Sequence, residues 1–267
     1  MVKGYLTSNA EHWDGTEQSS IRVDLIDEEP LSIRIQGRPY SVVLRTPGDE
    51  IAHVAGFCLA EGIIDRREDI KSIAFCDGSD TNVVTVTLTA ERRANLGDTL
   101  ERRAFISQSS CGICGKEIVK DLVQIVRPVA DGPRVPIRAA LQCLEKLGEH
   151  QPLRVHTSAS HAAALFDAQL NILCVGEDVG RHNALDKAIG TLFMQDRLNK
   201  ARLVVLSSRV SYEMLQKSAR AGIPIVLAMS RPTALSTELA KNLNITLACR
   251  AKPSGLLIVN DPGRLIE

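Results

Sequence analysis

The alternation of apolar and polar residues in the first third of the chain predicts strands around one helix. Apolar and polar positions alternate over Leu31–Ile35 and again over Tyr40–Leu44, with a glycine between them. This period of two is typical of a β-hairpin with a glycine turn. Apolar positions then recur at helical spacing over Ile51–Leu59, and alternation returns over Val84–Leu88. Residues 1–20 show neither pattern, and we expect them to form a loose tail.

The second half of the chain alternates between helical and strand patterns. Helices are predicted over Ile137–Leu147, Ser160–Phe166, Ala184–Phe193, Tyr212–Ala221 and Ala234–Leu243. Strands are predicted over Leu153–Val155, Leu170–Val175, Leu203–Leu206, Ile225–Ala228, Ile245–Ala248 and Leu256–Val259. The order predicts an α/β fold, a three-layer sandwich around a largely parallel sheet. A break rich in proline and glycine near residues 125–137 predicts a smaller α+β domain over 1–130 and the α/β domain over 131–267.

The loops that follow the predicted strands are unusually polar. They lie at residues 156–161, 176–183, 207–209, 229–233 and 249–254. In a parallel sheet these loops meet at one edge, where ligands bind. Hydroxyls, arginines and helix N-termini on one edge favour an anionic ligand that carries phosphates. The alternative for any single loop is ordinary helix capping.

Composition narrows the class of protein. The 267 residues include 32 Lys and Arg and 32 Asp and Glu, so the formal net charge is zero. This balance argues against a general nucleic-acid binder or membrane-surface binder. No apolar run has the length of a signal peptide or a membrane span. We therefore expect a cytoplasmic protein with reduced thiols.

Two of the seven cysteines stand apart from the others. Cys111 and Cys114 are each followed by glycine in a stretch without apolar periodicity, and Lys116 comes directly after it. Nearby positive charge lowers the pKa of a thiol and favours the reactive thiolate. Four interpretations stay open from the pair alone. It is half of a zinc site completed by His156 and His161, a dithiol redox site, a carrier that holds a transferred group, or a surface pair without a role.

Several known motifs are absent. The sequence contains no G-x-x-x-x-G-K-[ST] and no G-x-G-x-x-G phosphate motif. No histidine has glutamate two residues later, so zinc-dependent nucleobase deamination is unsupported. His161 and His182 are possible catalytic bases, although buried, hydrogen-bonded histidines are the commoner case.

Three segments together resemble one family. They are Ser109-Ser110-Cys111-Gly112-Ile113-Cys114-Gly115, then Glu177-Asp178-Val179-Gly180-Arg181-His182-Asn183-Ala184-Leu185-Asp186-Lys187, then Ser208-Arg209 with Glu213-Met214-Leu215-Gln216-Lys217. This combination closely resembles the FdhD family, the formate dehydrogenase accessory sulfurtransferases, over residues 31–260. The resemblance implies a cytidine-deaminase-like α/β domain without the deaminase zinc. It also implies that sulfur passes from a cysteine desulfurase to a loop cysteine as a persulfide. The sulfur then passes to the molybdenum or tungsten of a bis-pterin guanine dinucleotide cofactor, before that cofactor enters formate dehydrogenase.

The resemblance also implies roles for particular residues. Cys111 takes the persulfide position and Cys114 the auxiliary one, within the loop 107–116. The cofactor-binding segment falls on Ala248, Cys249, Arg250, Ala251, Lys252 and Pro253, to which the polar loops add Arg181 and His182. The bis(molybdopterin guanine dinucleotide) cofactor is then a bound substrate, and the protein has no metal of its own. A homodimer is expected, because two-fold symmetry is the commonest oligomeric arrangement.

Two alternatives come from other classes of protein. A cofactor-binding chaperone would hold the pterin without sulfur chemistry, and Cys111 and Cys114 would then be dispensable. A zinc-bound regulatory protein would instead use both thiolates as metal ligands.

Overall fold

The computed structural model describes residues 4–77, 80–96 and 126–267, which form a mixed α/β protein. The strands are β1 (Tyr5–Trp13), β2 (Gln18–Ile26), β3 (Glu29–Ile35), β4 (Arg38–Arg45), β5 (Ile70–Asp77), β6 (Asp80–Leu88), β7 (Val135–Pro136), β8 (His161–Phe166), β9 (Ile172–Asp178), β10 (Leu203–Leu206), β11 (Ile225–Ala228), β12 (Thr246–Arg250), β13 (Leu256–Asn260) and β14 (Leu265–Ile266). The helices are α1 (Glu50–Ala60), α2 (Ala90–Leu96), α3 (Ile137–Lys146), α4 (Pro152–Thr157), α5 (Arg181–Met194), α6 (Tyr212–Arg220) and α7 (Ala234–Asn242).

The first part of the chain forms a hairpin and a four-stranded sheet. The predicted pairing of β3 with β4 is confirmed, and so are α1 and β6. The four strands lie in the order β4-β3-β6-β5. The expected loose tail is wrong, because β1 and β2 pair in regular antiparallel register from Tyr5↔Ile26 to Trp13↔Gln18. Their pattern escaped notice because both faces of this hairpin are largely exposed, so burial imposes little apolar alternation on the sequence.

The second part is built on a six-stranded sheet in the order β13-β12-β11-β10-β8-β9. Only β10, β11 and β12 run parallel to one another, and the remaining neighbours pair antiparallel. The prediction of a largely parallel sheet is therefore wrong. Two misassigned elements caused the error, because the predicted helix over Ser160–Phe166 is strand β8 and the predicted strand over Leu153–Val155 lies in helix α4.

Both errors have physical causes. The run Ala162–Phe166 is apolar at every position and fully buried on both faces, and periodicity cannot distinguish such a strand from a buried helix. Pro152 occupies the start of α4, where its missing N–H costs no helical hydrogen bond. The predicted strands at Leu203–Leu206 and Ile225–Ala228 are confirmed as β10 and β11. They could be recognised in the sequence because turns flank both of them.

Alternate residues of the six-stranded sheet face two apolar clusters. Val204 and Leu206 point to the cluster that contains Leu185 and Ile189 of α5. Leu203 and Val205 point to the other cluster, which α3 covers with residues such as Leu144. Helices therefore lie on both faces of the sheet.

The larger cluster also contains the core of the four-stranded sheet. Leu31, Ile33 and Val84 belong to the same contiguous set of buried residues as α5. This shared core shows that the two parts of the chain pack against each other. The predicted division of the chain at residue 130 stays a prediction.

Helix α1 of the first part of the chain and helix α5 of the second part pack against each other at very short range. A Cβ added at Gly190 would overlap the carbonyl oxygen of Ala52, and one added at Gly56 would overlap that of Asp186. The two backbones therefore touch where glycine leaves room, and no other side chain fits at these two positions.

In the described part of the chain, every helix is too short or too polar to span a membrane. Within the same residues, no three His, Cys, Asp or Glu side chains are grouped so that they could hold a metal ion.

Candidate functional site

The polar loops meet along one edge of the six-stranded sheet. Strands β9, β10, β11 and β12 end at this edge, and β8 begins there. The pairs His161↔Asp178 and Leu206↔Ala228 place these strand ends next to one another. At the far side, Arg250 at the end of β12 pairs with Leu256 at the start of β13. We call this edge the rim, and it comprises residues 161, 178–183, 207–213, 229–231 and 250–256. The rim forms despite the mixed sheet, because β9 runs in the same direction as β10 even though β8 separates them.

Basic side chains dominate the rim. Five of them form no ion pair with another residue in the ranges that the structure describes: Arg181, Arg209, Arg231, Arg250 and Lys252. All but Arg181 are exposed. Cations without partners, placed at the edge of a sheet, are suited to an anionic ligand.

The predicted cofactor-binding segment lines an open pocket on this rim. Arg250, Ala251, Lys252 and Pro253, together with Met229, border a space of about 760 Å³. The two preceding residues of the segment are different, because Ala248 and Cys249 are fully buried in β12. Their side chains pack against opposite faces of the sheet and so fix where Arg250 emerges. The binding of a ligand by this segment stays a prediction.

Asp178, near the start of the segment Glu177–Lys187, has a structural role. Asp178 is fully buried, and its carboxylate accepts hydrogen bonds from the backbone N–H groups of Thr46 (3.0 Å) and Gly180 (2.9 Å) and from the Asn183 amide (2.9 Å). Lys187 lies 2.8 Å from the same carboxylate and donates to the Thr46 carbonyl oxygen (2.8 Å). These residues hold the rim loop onto the end of β4. Sequence reasoning missed Thr46, which lies far away along the chain and has no distinctive sequence context.

Glu177 organises the neighbouring helix. Its carboxylate accepts from the backbone N–H groups of Leu153 (2.9 Å) and Arg154 (3.2 Å) and from the hydroxyl of Ser160 (2.7 Å). A carboxylate is favourable at the N-terminus of a helix, where N–H groups lack partners. Glu177 therefore fixes α4 rather than facing a ligand.

Arg181 and His182 lie at the start of α5 and face the rim. The His182 Nε2 atom is 2.8 Å from Oε2 of Glu213, and this contact lowers the pKa of Glu213. Three buried polar atoms of rim residues have no hydrogen-bond partner among the described residues, namely Arg181 Nε, Ser211 Oγ and Tyr212 Oη. Buried polar atoms are rarely left unpaired, so these three atoms require partners that the described residues do not supply. Sequence reasoning missed Ser211 and Tyr212, although a serine before a predicted helix was a usable signal.

The two histidines considered as zinc ligands each have other contacts. His161 lies 3.3 Å from the hydroxyl of Ser207, and burial together with Arg181 lowers its pKa, so its ring is neutral at pH 7. His156 lies 3.3 Å from Asp24 and stacks on the ring of Tyr5.

The predicted sulfur-carrying residues Cys111 and Cys114 lie outside the described residues, as does the loop 107–116 that contains them. Four of the five described cysteines are poor nucleophiles, because burial raises the pKa of the thiols at Cys58, Cys143, Cys174 and Cys249. Cys76 is the exposed one among these five. A thiol with a raised pKa carries little thiolate at neutral pH.

Comparison with known proteins places the chain in a family. The model of the FdhD/NarQ family matches residues 26–266. The sulfur carrier protein FdhD of Bordetella bronchiseptica (strain ATCC BAA-588 / NCTC 13252 / RB50) is 36% identical over 252 residues, which cover 94% of this chain and 91% of that protein. The sulfur carrier protein FdhD of Mycolicibacterium paratuberculosis (strain ATCC BAA-968 / K-10) is 40% identical over 252 residues, covering 90% of this chain and 91% of that protein.

A solved structure has the same fold. The crystal structure of a putative formate dehydrogenase accessory protein from Desulfotalea psychrophila superposes with a TM-score of 0.77 at 23% identity, covering 98% of this chain and 99% of that one. The family match over residues 26–266 and the two relatives confirm the resemblance that the cysteine and rim motifs predicted. This chain belongs to the FdhD/NarQ family.

Proposed function

We propose that this protein is a sulfur carrier that serves the maturation of formate dehydrogenase. It takes sulfur from a cysteine desulfurase as a persulfide on Cys111. It passes that sulfur to the metal of a bis(molybdopterin guanine dinucleotide) cofactor, which it binds as a substrate. The proposal includes the cytidine-deaminase-like form of the α/β part, action as a homodimer and location in the cytoplasm. The two relatives, both named sulfur carrier protein FdhD, support the first step.

The observation that carries the proposal is the set of five basic side chains on the rim that form no ion pair within the described residues. The pocket bordered by Arg250, Ala251, Lys252 and Pro253 lies at one side of it, and Arg181 and His182 lie at the other. Neighbouring strands are about 4.8 Å apart, so β12 and β9, four intervals apart, end about 19 Å from each other. An elongated ligand with several phosphates would span that distance, whereas a single small anion would occupy only one end.

The chemistry of the first step needs an accessible thiolate. The Cys111 thiolate attacks the outer sulfur of the donor's cysteine persulfide. The S–S bond of the donor breaks, and the donor cysteine leaves as a thiolate. The raised pKa values of four other cysteines support a nucleophile elsewhere in the chain. Lys116, two residues after Cys114, favours the thiolate form through its charge.

Delivery of the sulfur also requires two electrons. Release of the outer sulfur of a Cys111 persulfide as sulfide is a reduction. Attack by the Cys114 thiolate on the inner sulfur of that persulfide supplies the electron pair, expels the outer sulfur and leaves a Cys111–Cys114 disulfide. A cellular dithiol reductant then restores both thiols. This sequence gives Cys114 an auxiliary role that a lone carrier cysteine would lack.

Mass spectrometry tests the sulfur step. Incubation with a cysteine desulfurase and cysteine should add the mass of one sulfur atom to a peptide that contains Cys111. Cys111→Ser should abolish the addition, whereas Cys76→Ser, which removes the exposed thiol of the described part, should retain it. Full formate dehydrogenase maturation by the Cys111→Ser protein would favour the chaperone that performs no sulfur chemistry.

Ligand binding tests the rim. GDP, a fragment of the proposed cofactor, should raise the melting temperature with concentration and bind less tightly as salt increases. ADP should bind less well if the base is recognised. The double variant Arg250→Ala, Lys252→Ala should lose most of the effect, and the control Arg38→Ala, Lys71→Ala, which removes two exposed charges far from the rim, should retain it. Equal GDP binding by both double variants would contradict the assignment of the pocket.

A further inference from the structure

One accessible carboxylate lies among the basic side chains of the rim. Glu213 is in the first turn of α6, and its side chain is 65% exposed. The other acidic residue of the rim, Asp178, is fully buried and accepts hydrogen bonds from backbone N–H groups. Glu213 is therefore the rim carboxylate that a ligand can reach.

Glu213 is ionised and held in place by a neighbour. Its Oε2 atom lies 2.8 Å from Nε2 of His182. This contact lowers the pKa of Glu213 below 4.5, and the charges of Lys217 and Arg181 act in the same direction. The carboxylate is therefore negatively charged at pH 7. A carboxylate has about four lone-pair positions for hydrogen bonds, so the contact with His182 leaves others for a ligand.

A negative charge is unfavourable in a site for phosphates, because like charges brought together lower the affinity. A side chain that only assisted phosphate binding would be neutral or basic. The position of Glu213 therefore indicates a part of the ligand that donates hydrogen bonds. The alternative is that Glu213 only fastens the start of α6 to the start of α5, and these two roles predict different binding results.

The proposed cofactor contains suitable donors. Guanine presents two adjacent donors on its Watson–Crick edge, N1–H and the N2 amino group, and the pyrimidine ring of a pterin has the same 2-amino-4-oxo pattern. Adenine presents an acceptor, N1, beside its one amino group, so a carboxylate there would face a lone pair. A carboxylate accepts two hydrogen bonds from the 2-amino-4-oxo edge and therefore favours it over adenine.

The dimensions of the rim allow this contact. In the six-stranded sheet, β10 is two strand intervals from β12 and two from β9. At about 4.8 Å per interval, the end of β10 lies about 10 Å from the pocket that Arg250 and Lys252 border. Glu213 follows the loop after β10, and Val210 in that loop bridges to Pro232 in the loop after β11. An extended nucleotide with its phosphates in the pocket therefore reaches Glu213 with its base.

We propose that Glu213 binds the 2-amino-4-oxopyrimidine edge of the cofactor and is the residue that determines base specificity on the rim. Guanine and the pterin ring share this edge, and either supplies the two donors. The inference rests on the proposed function, because it takes the basic side chains of the rim as the site of the phosphates.

Calorimetric titration of the whole protein with GDP and ADP tests the proposal in Glu213→Gln. The variant keeps the size of the side chain and loses the charge and one acceptor. GDP should bind about tenfold less tightly or weaker still, since a bidentate hydrogen-bonded pair discriminates between bases by about that factor. ADP should bind equally or more tightly, because a negative charge has left the site of its phosphates. A residue that only fastened α6 to α5 would weaken both nucleotides alike.

A third nucleotide and a matched variant serve as controls. Inosine diphosphate has N1–H but no amino group, so the wild type should bind it less tightly than GDP, and Glu213→Gln should bind the two with similar affinity. Glu238→Gln removes an exposed carboxylate of α7 outside the rim and should keep the wild-type preference for GDP. A thermal melt of each variant without ligand verifies the fold.

Neopterin, which carries the pterin edge without guanine or phosphate, distinguishes the two sources of that edge. Loss of neopterin binding in Glu213→Gln with an unchanged preference for GDP would assign Glu213 to the pterin ring. Loss of the preference for GDP with unchanged neopterin binding would assign it to guanine. Both results support the proposal.

Two results would overturn the proposal and leave the phosphate site standing. They are an unchanged preference for GDP together with unchanged neopterin binding in Glu213→Gln, and an equal loss of GDP and ADP binding in that variant. A wild-type protein that binds none of these ligands would overturn the assignment of the rim, and the role of Glu213 with it.

Discussion

At the scale of single residues, the buried ionisable groups between α1 and α5 distinguish structural roles from chemical ones. His53 is fully buried. Burial, reinforced by the positive charges of Lys187, Lys217 and Arg45, lowers its pKa well below 6.5. The imidazole is therefore neutral in the folded protein, and it is protonated more readily in the unfolded chain.

This difference makes the stability of the protein depend on pH. A histidine with a lowered pKa contributes stability that is present above its unfolded pKa of 6.5 and is lost as pH falls below that value. His53→Leu removes the titrating group and replaces it with a side chain of similar volume. We expect the free energy of unfolding of the variant, minus that of the wild type, to increase by about 1.4 kcal/mol for each pH unit below 6.5. Denaturant unfolding between pH 8 and pH 5 measures this difference, and a constant gap would contradict it.

A second buried group acts in the opposite direction. Burial raises the pKa of Asp186 to about 6 from 3.8, although Lys217, whose ammonium group lies 2.7 Å away, opposes the shift. The stability due to this raised pKa is present below 3.8 and is lost as pH rises through 6. The wild-type curve therefore combines two slopes of opposite sign, and comparison with His53→Leu separates them.

The sequence indicates the position of a residue well when its contacts are close along the chain, and poorly when they are distant. The sequence placed Arg250, Lys252, Arg181 and His182 in polar loops after strands, and the structure has them at the ends of β12 and β9. Their binding role stays a prediction. The roles of Asp178 and Lys187 were not predicted, because their partner Thr46 is 132 residues from Asp178 in the sequence. A motif shows that residues matter together, but it does not show which of them face inward.

At the scale of elements, the contact between α1 and α5 depends on glycine. Helix propensity alone predicts that Gly190→Ala stabilises α5 by about 1 kcal/mol. The structure predicts the reverse, because the added Cβ would overlap the Ala52 carbonyl oxygen of α1. Separation of two packed helices exposes apolar surface and strains their neighbours, so we expect a loss of about 3 kcal/mol or more.

Gly148 provides the matched control for this experiment. A Cβ at Gly148 would meet no atom within 4 Å, and its φ is not positive. Gly148→Ala should change the free energy of unfolding by less than about 0.5 kcal/mol. Urea titrations of both variants give the comparison, and equal effects would show that α1 and α5 are further apart than described.

Sequence reasoning misassigned the elements whose local pattern of apolar residues is ambiguous or weak. The β8 run is apolar throughout and suits a buried strand or a buried helix, and only its pairing with β9 and β10 decides between them. The β1–β2 hairpin is largely exposed, so its period of two is weak. The strands β10 and β11 were predicted correctly, because turns bound both and every residue in them is buried.

At the scale of the whole molecule, one core and one polar network join the two parts of the chain. The larger apolar cluster contains residues of both sheets, and Lys187 of α5 bonds to Thr46 at the end of β4. The rim that we propose as the cofactor site therefore depends on packing between the parts. Movement of the four-stranded sheet would release the loop at residues 178–180, which leads into Arg181 and His182 at the start of α5.

This arrangement predicts a single cooperative unfolding transition, with equal calorimetric and van't Hoff enthalpies. Lys187→Met leaves Asp178 buried without its cation, which typically costs 3–5 kcal/mol. The variant should melt at a lower temperature and still show one transition, because the core shared by both parts unfolds together. Lys200→Met, which removes an exposed lysine, should melt like the wild type. Scanning calorimetry measures the number of transitions. Two transitions, with only one of them shifted in Lys187→Met, would mean that the two parts unfold independently. The division near residue 130 would then separate true domains.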